Sequence, residues 1–424
     1  MAVIKSILAY EIIDSRGYPT IEGRLTLDNG YQVVTSIPSG TSIGKYEAVD
    51  LKDNDPTRFD GQGVTRAVSY INELIAPKLV GISPLKQLEV DDWLNRADGT
   101  VNKSQLGANV LLTISQLCVL AGAVVSGLPP YLYVNKLYEA ATKNTIAIER
   151  IPSPIFNIIN GGKHASNSLD FQEFQIILSS SMSYSQALRL GVEMYHELKR
   201  VLQYRNASVS LGDEGGYTPN FATNIDAMEA LRETIMRKNL KIGLDIFFGL
   251  DITASSFYHN GKYQIRDKQN PLKPNEFMDF ISSIIENYSL LILEDPLHED
   301  DWEGWKTLNT KISKDIYLAG DDLITANKLR MERAIKEQAC TTVVIKPNQI
   351  GTVTEVLQIV DIARKNGLNC IISQRAGETN DSFIADLAVG VQSDFVKFGA
   401  PSRGERVSKY NRLWQIEREG LRKA

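Results

Sequence analysis

"LLILEDPLHEDDWEGWKTLNTKISKDIYLAGDD", residues 290–322, holds the pattern that decides the fold. A short apolar run ends on Glu294, a polar segment of helix length follows, and a second apolar run ends on Asp321. Short apolar runs separated by amphipathic segments are the mark of strand-helix-strand units. The same pattern continues on both sides: "FFGLD" ends on Asp251, "TVVIK" on Lys346, "CIIS" on Ser373 and "FVK" on Lys397. Successive run ends lie 43, 27, 25, 27 and 24 residues apart. Four of these separations are the length of one strand plus one helix. The long one contains "FYHNGKYQI", residues 257–265, which reads as a hairpin inserted into the repeat.

Near-continuous apolar strands joined by helices imply a parallel sheet buried on both faces. Six such units, with further strands near Pro154 and Gln175, are enough to close an eight-stranded (β/α) barrel, whose chemistry sits at the C-terminal ends of its strands. An open doubly wound sheet is the alternative, and its G-x-G-x-x-G signature is missing. Upstream, the first forty residues alternate apolar and polar positions, with "DNG" at 28–30 placed for a tight turn. Helical periodicity follows at Val64, Ala67, Val68, Ile71, Leu74 and Ile75, and a charged helix around residues 85–95. Strands followed by helices read as an α+β cap over residues 1–140, and the polar turn in composition at 141–150 opens the barrel domain, 141–424.

The stretch 109–135 carries no charge. It reaches membrane-spanning length only by crossing Gly127, Pro129 and Pro130, so a buried core helix ending near Gly127 is expected. The chain of 424 residues has 43% hydrophobic and 23% charged residues and a net charge of -5. Those values suit a globular protein with a small-molecule ligand and speak against nucleic acid or an acidic membrane surface as partner. Cys118, Cys340 and Cys370 are odd in number and far apart, which indicates neither disulfides nor zinc. Glu11 interrupts the N-terminus before a signal-length apolar run develops, so a cytoplasmic location is expected.

At the mouth of such a barrel Asp251, Glu294 and Asp321 would converge. Like charges about 4 Å apart cost on the order of 4 kcal/mol at an effective dielectric near 20, so a trio of carboxylates calls for a cation. Oxygen ligands select a hard ion such as Mg²⁺. Any one of the three alone reads equally well as a lysine partner or a helix cap. Lys346 and Lys397 end two neighbouring strands, and a lysine shielded from water can have its pKa lowered enough to act as a base, or can simply form a salt bridge. Glu173 in "DFQEFQ" and Glu214 in "LGDEGGYTPN" form a second acidic set, able to protonate a leaving group or only to shape a turn. "IPSGTSIGKYEA", residues 37–48, is not a Walker A loop, because Gly40 and Gly44 enclose three residues and Tyr46 follows the lysine. Its small residues suit a mobile lid.

With these residues in place the chain resembles the enolase family over nearly its full length. The likeness rests on "EIIDSRGYPTIE" (11–22), "PSGTSIGKYEA" (38–48), "DGTVNKSQLGAN" (98–109), "FNIINGGKHASN" (156–167), "QEF" (172–174), "GDEGGYTPN" (212–220), "LEDPLHEDDWEGW" (293–305), "GDD" (320–322), "KPNQIGT" (346–352) and "GETNDSFIADLAVG" (377–390). It implies an N-terminal α+β cap on a modified eight-stranded TIM-type barrel, and Mg²⁺-dependent dehydration of 2-phosphoglycerate to phosphoenolpyruvate. By position, Asp251, Glu294 and Asp321 would hold one Mg²⁺, and Ser39 on the lid would ligate a second. Lys346 would remove the proton beside the carboxylate and Glu214 would help expel hydroxide. Glu173, His164 and Lys397 would complete the pocket, with Lys397 on the substrate carboxylate and Arg375 on the phosphate. A homo-oligomer, dimer or octamer, is implied as well.

The chain departs from the family where most members read S-H-R-S-G-E. Here "SQRAGE" puts Gln374 for histidine and Ala376 for serine, and Ile43 stands on the lid where threonine is usual. A lost contact to a charged group is worth about 1.5 to 3 kcal/mol, roughly 10- to 150-fold. The expectation is a weakened phosphate pocket. Beside it stand a related lyase acting on another phosphorylated or phosphonate 2-substituted acid, and a homologue without catalysis.

Overall fold

The computed structural model describes residues 2–40, 44–165, 169–312 and 314–421. The chain opens as an antiparallel meander of β1 (Ile4–Ile13), β2 (Pro19–Leu27) and β3 (Gln32–Ser36). Ile4, Ile7, Ala9, Ile21, Leu25 and Leu27 are buried, as in a sheet with one face on a core. Five helices follow: α1 (Thr65–Ser69), continued by a π-helical turn, then α2 (Ala76–Leu79), α3 (Gln87–Asp98), α4 (Ala108–Ser126) and α5 (Pro130–Thr142).

The uncharged stretch is α4. It is long and apolar enough to cross a membrane by length and composition, yet 83% of its most apolar window is buried inside the protein, against β2, β3, α3 and α5. Its polar groups find partners. Thr113 donates to the Asn109 carbonyl, Gln116 accepts from Thr35, and Ser115 accepts the Val353 backbone N–H at 2.9 Å, tying cap to barrel. Gly127 ends the helix at φ 63°, the left-handed stop that glycine adopts without a steric penalty.

The barrel strands are β4 (Ser153–Asn160), β5 (Glu173–Leu178), β6 (Ile246–Asp251), β9 (Leu290–Glu294), β10 (Tyr317–Gly320), β11 (Thr342–Ile345), β12 (Asn369–Ser373) and β13 (Phe395–Lys397). The remaining pair, β7 (Tyr258–His259) and β8 (Lys262–Tyr263), forms the hairpin expected from "HNGK", with Asn260 and Gly261 at positive φ. Around the barrel run α6 (Tyr184–Tyr204), α7 (Asn224–Arg237), α8 (Pro274–Asn287), α9 (Trp302–Lys311), α10 (Lys328–Glu337), α11 (Val353–Lys365), α12 (Phe383–Gly390) and α13 (Gly404–Glu419). The strands close in the order β10-β11-β12-β13-β4-β5-β6-β9. Closure rules out the open doubly wound sheet.

The sheet is not wholly parallel, contrary to the reading of repeated units. β5 runs antiparallel to both β4 and β6. The connection at 161–172 shows only one short 3-10 turn among its described residues, and a parallel return needs a crossover, usually a helix. The reversal matters for the site. Glu173 begins β5 but pairs in register with Asp251, which in turn pairs with Glu294, so three carboxylates stand side by side at one rim. Inside the barrel Ile155, Ile177, Ile292, Ala319, Val344, Ile371 and Phe395 form an apolar cluster, the filled interior usual for this architecture.

Candidate active site

Lys397, the last residue of β13, sends its ammonium into the acidic rim. It lies 2.8 Å from Glu294, 3.1 Å from Asp251 and 3.3 Å from Glu173. Burial and three neighbouring carboxylates act on it in opposite directions, and the carboxylates win, holding the lysine charged. One ammonium does not balance three carboxylates. Burial first, and mutual repulsion with it, pushes Glu173, Asp251 and Glu294 above the ordinary carboxylate range. The acids do pair with a lysine, as one reading of the sequence has it, and what that lysine leaves unbalanced makes them favour a proton or another cation.

Asp321 stands on the turn after β10 and pairs with the ammonium of Lys346. Burial would raise Asp321, but Lys346 and Lys397 outweigh it and hold the group low. Lys346 itself is raised: burial lowers it, and the charge of Asp321 more than offsets that. The lowered lysine expected from its sheltered position is thus not what this arrangement holds. One carboxylate oxygen of Asp321 is buried without a hydrogen-bond partner among the described residues. Around Asp321 the carboxylate oxygens that lie within 4.8 Å of one another are those of Asp295, Asp321 and Asp322, while Asp251 and Glu294 are held by Lys397. Oxygen donors with an orphaned carboxylate oxygen fit a hard divalent ion.

Across the cavity the His164 ring nitrogen Nδ1 lies 3.7 Å from Glu214. Burial is the main reason that His164 is pushed down from 6.5 to about 4, so it stays neutral near pH 7. Asn157 donates to the second oxygen of Glu214 at 2.8 Å, and Gln175 donates to Glu173 at 2.7 Å. Ligating atoms of His164, Glu173 and Glu214 all lie within 4.8 Å of one another. Arg375 donates to Glu47 at 2.8 Å and to Asn348 at 3.1 Å. Its guanidinium packs over Gly40, where a Cβ would stand 2.0 Å from Nη2.

One cavity is lined by His164, Glu173, Glu214, Asp251, Asp321, Lys346, Gln374, Arg375, Ala376 and Lys397. Glu294 lies beneath it, fully buried, and reaches it through Lys397. Ser39 is the exception. Its hydroxyl donates to Asp14 at 2.5 Å and accepts from Arg16 at 3.1 Å, so in this arrangement it is held away from the carboxylates.

Two family descriptions match the chain: the enolase N-terminal domain over residues 4–134 and the enolase C-terminal TIM barrel domain over residues 148–424. The chain belongs to the enolase family. Within this enolase-family chain, Ile43 falls outside the described residues, while Gln374 and Ala376 sit on the loop after β12 and face the same cavity as Lys346.

Sequence reasoning missed several groups that shape the site. Glu47 and Asn348 hold Arg375, and both lie inside motifs already singled out, but nothing in their spacing names a partner. Asp295 follows Glu294 directly and accepts the backbone N–H groups of Asp321 and Asp322 at 3.0 and 2.7 Å. The repeated acidic pairs "ED" and "GDD" were the available signal. Arg406 had none, since its partners are mainly backbone carbonyls.

Proposed function

We propose that this enolase-family chain dehydrates 2-phosphoglycerate to phosphoenolpyruvate. The observation that carries the reading is that Lys346, Glu214, Arg375 and Lys397 line one cavity whose rim is acidic. These are the groups the reaction needs: a base, a group to assist hydroxide departure, and cations for an anionic substrate.

The proton beside a carboxylate is weakly acidic, because its loss places a second negative charge on that carboxylate. Lys346 is the base for this proton and must be neutral to accept it. Its pairing with Asp321 keeps it charged between turnovers, so loosening that pair is part of arming the base. Glu214, held by Asn157 and beside neutral His164, delivers a proton to the departing hydroxide. Arg375 leaves Glu47 for the phosphate, and Lys397 has the position to meet the carboxylate. A Mg²⁺ held by Asp251, Glu294 and Asp321 would supply positive charge where the carboxylate becomes doubly negative. A second ion with Ser39 as ligand, as the family resemblance implies, requires Ser39 to release Asp14. A homo-oligomer and a cytoplasmic setting belong to the same proposal.

Steady-state turnover of 2-phosphoglycerate with and without Mg²⁺ tests the reading; fast metal-dependent formation of the enol product supports it, and none from folded protein rejects it. Gln374 and Ala376 favour a second reading, a lyase for a related phosphorylated or phosphonate acid. Under it, Gln374→His with Ala376→Ser would sharply raise weak activity on 2-phosphoglycerate; an unchanged rate counts against it.

A further inference from the structure

Arg406 lies in the first turn of α13, and its side chain is fully buried. Its guanidinium serves one loop almost entirely. Nη1 donates to the Gln374 side-chain oxygen and to the Arg375 carbonyl at 2.7 Å. Nη2 donates to the Ala376 carbonyl at 2.5 Å and to the carbonyl of Asp213, the residue before Glu214, at 3.1 Å. A guanidinium has donors only, so the Gln374 atom that faces it has to be oxygen. The orientation of an amide is ordinarily a matter of assignment; here the donor opposite decides it.

The consequence falls on the other half of the amide. Gln374 Nε2 is buried and has no hydrogen-bond partner among the described residues. A buried donor left without an acceptor is destabilising, and a ligand acceptor would remove that penalty. The backbone is pinned as well, through the Gln374 N–H to the Lys397 carbonyl at 3.0 Å. Gly399, at φ 87°, leaves room for the amide: a Cβ there would stand 3.0 Å from Nε2.

We propose that Arg406 is a positioning residue that turns Gln374 so that its amide NH₂ faces the cavity as a fixed donor to the anionic substrate. This rests on the reading of the cavity as a site for a phosphorylated acid. A histidine in the same place would have to accept from Arg406 with one ring nitrogen and donate with the other. Glutamine presents the same two faces in one planar group, so the exchange keeps a donor and gives up only the ability to take a charge.

The test is Gln374→Glu, nearly equal in shape, which leaves an oxygen for Arg406 and replaces the NH₂ by an anionic oxygen. The expected result is a melting temperature no lower than wild type, because a carboxylate now meets Arg406, together with a 10- to 150-fold or greater loss in kcat/KM for 2-phosphoglycerate with Mg²⁺, about the size of a lost hydrogen bond to a charged group. Arg406→Lys, which cannot span the same acceptors, should show a kinetic loss that Gln374→Glu does not deepen by its full amount. Wild-type kcat/KM in Gln374→Glu, or a lowered melting temperature, overturns the proposal. Absence of turnover by wild type would reject the assigned reaction instead, and the melting comparison would still decide the orientation of Gln374.

Discussion

The Lys397 ammonium stands 2.8 Å from Glu294 and within 3.3 Å of Asp251 and Glu173, so a single lysine is the counter-charge to three buried carboxylates. Removing one partner of a buried ion pair is costly because the other is left uncompensated, typically by about 3–5 kcal/mol. Lys397→Met should therefore lower stability by an amount of that order at pH 7 in the presence of a chelator. Mg²⁺ binds the folded rim and not the unfolded chain, so adding it should recover part of the loss. Denaturant unfolding of the variant with and without Mg²⁺ measures this; identical curves would show that the rim does not hold the ion.

Lys346→Ala removes the proposed base and leaves the anion-binding groups in place. A general base contributes about 10²–10⁴-fold, and a loss confined to the chemical step appears in kcat with KM little changed. Exchange of the substrate's carbon-bound proton with deuterated solvent should vanish in parallel. Continued exchange at the wild-type rate would assign the base elsewhere.

The barrel was legible because its strands are buried on both faces and read as apolar runs, five of them ending on, or just before, a residue that can carry charge. Asp251, Glu294, Asp321, Lys346 and Lys397 were found by that punctuation alone. The direction of β5 was not, since an apolar strand reads the same either way and only the short connection before Glu173 forces the reversal. Neither was the partner of Arg375: Glu47 is 328 residues distant in sequence, and no local periodicity links the two. Ser39 shows the same limit, as its engagement with Asp14 arises from tertiary contact.

Gly40 is the floor under Arg375. A Cβ at that position would lie 2.0 Å from Nη2 and 2.9 Å from Cζ, so Gly40→Ala displaces the guanidinium from Glu47 and Asn348. The far end of an arginine moves more easily than packed backbone, so the melting temperature should change little. The phosphate contact is what suffers, and KM should rise roughly 10- to 150-fold for the loss of one charged hydrogen bond. A KM equal to wild type would remove Arg375 from the substrate's phosphate.

His164 makes stability depend on acidity in a defined window. Burial pushes it from 6.5 to about 4, so the unfolded chain binds this proton more readily than the folded one. Stability from this group is fully present above pH 6.5 and is lost as the pH falls towards 4. The whole loss is about 3 kcal/mol at 1.36 kcal/mol per unit, and about 2 kcal/mol of it has occurred at pH 5. His164→Gln keeps a polar group of similar reach but cannot take up the proton. Urea unfolding at pH 7.5 and pH 5 should show the gap between wild type and variant shift by about 2 kcal/mol in the variant's favour at the lower pH. Parallel pH profiles for the two proteins would mean that His164 takes up its proton over the same pH range whether folded or unfolded, and a buried His164 kept neutral down to about pH 4 would have to be abandoned.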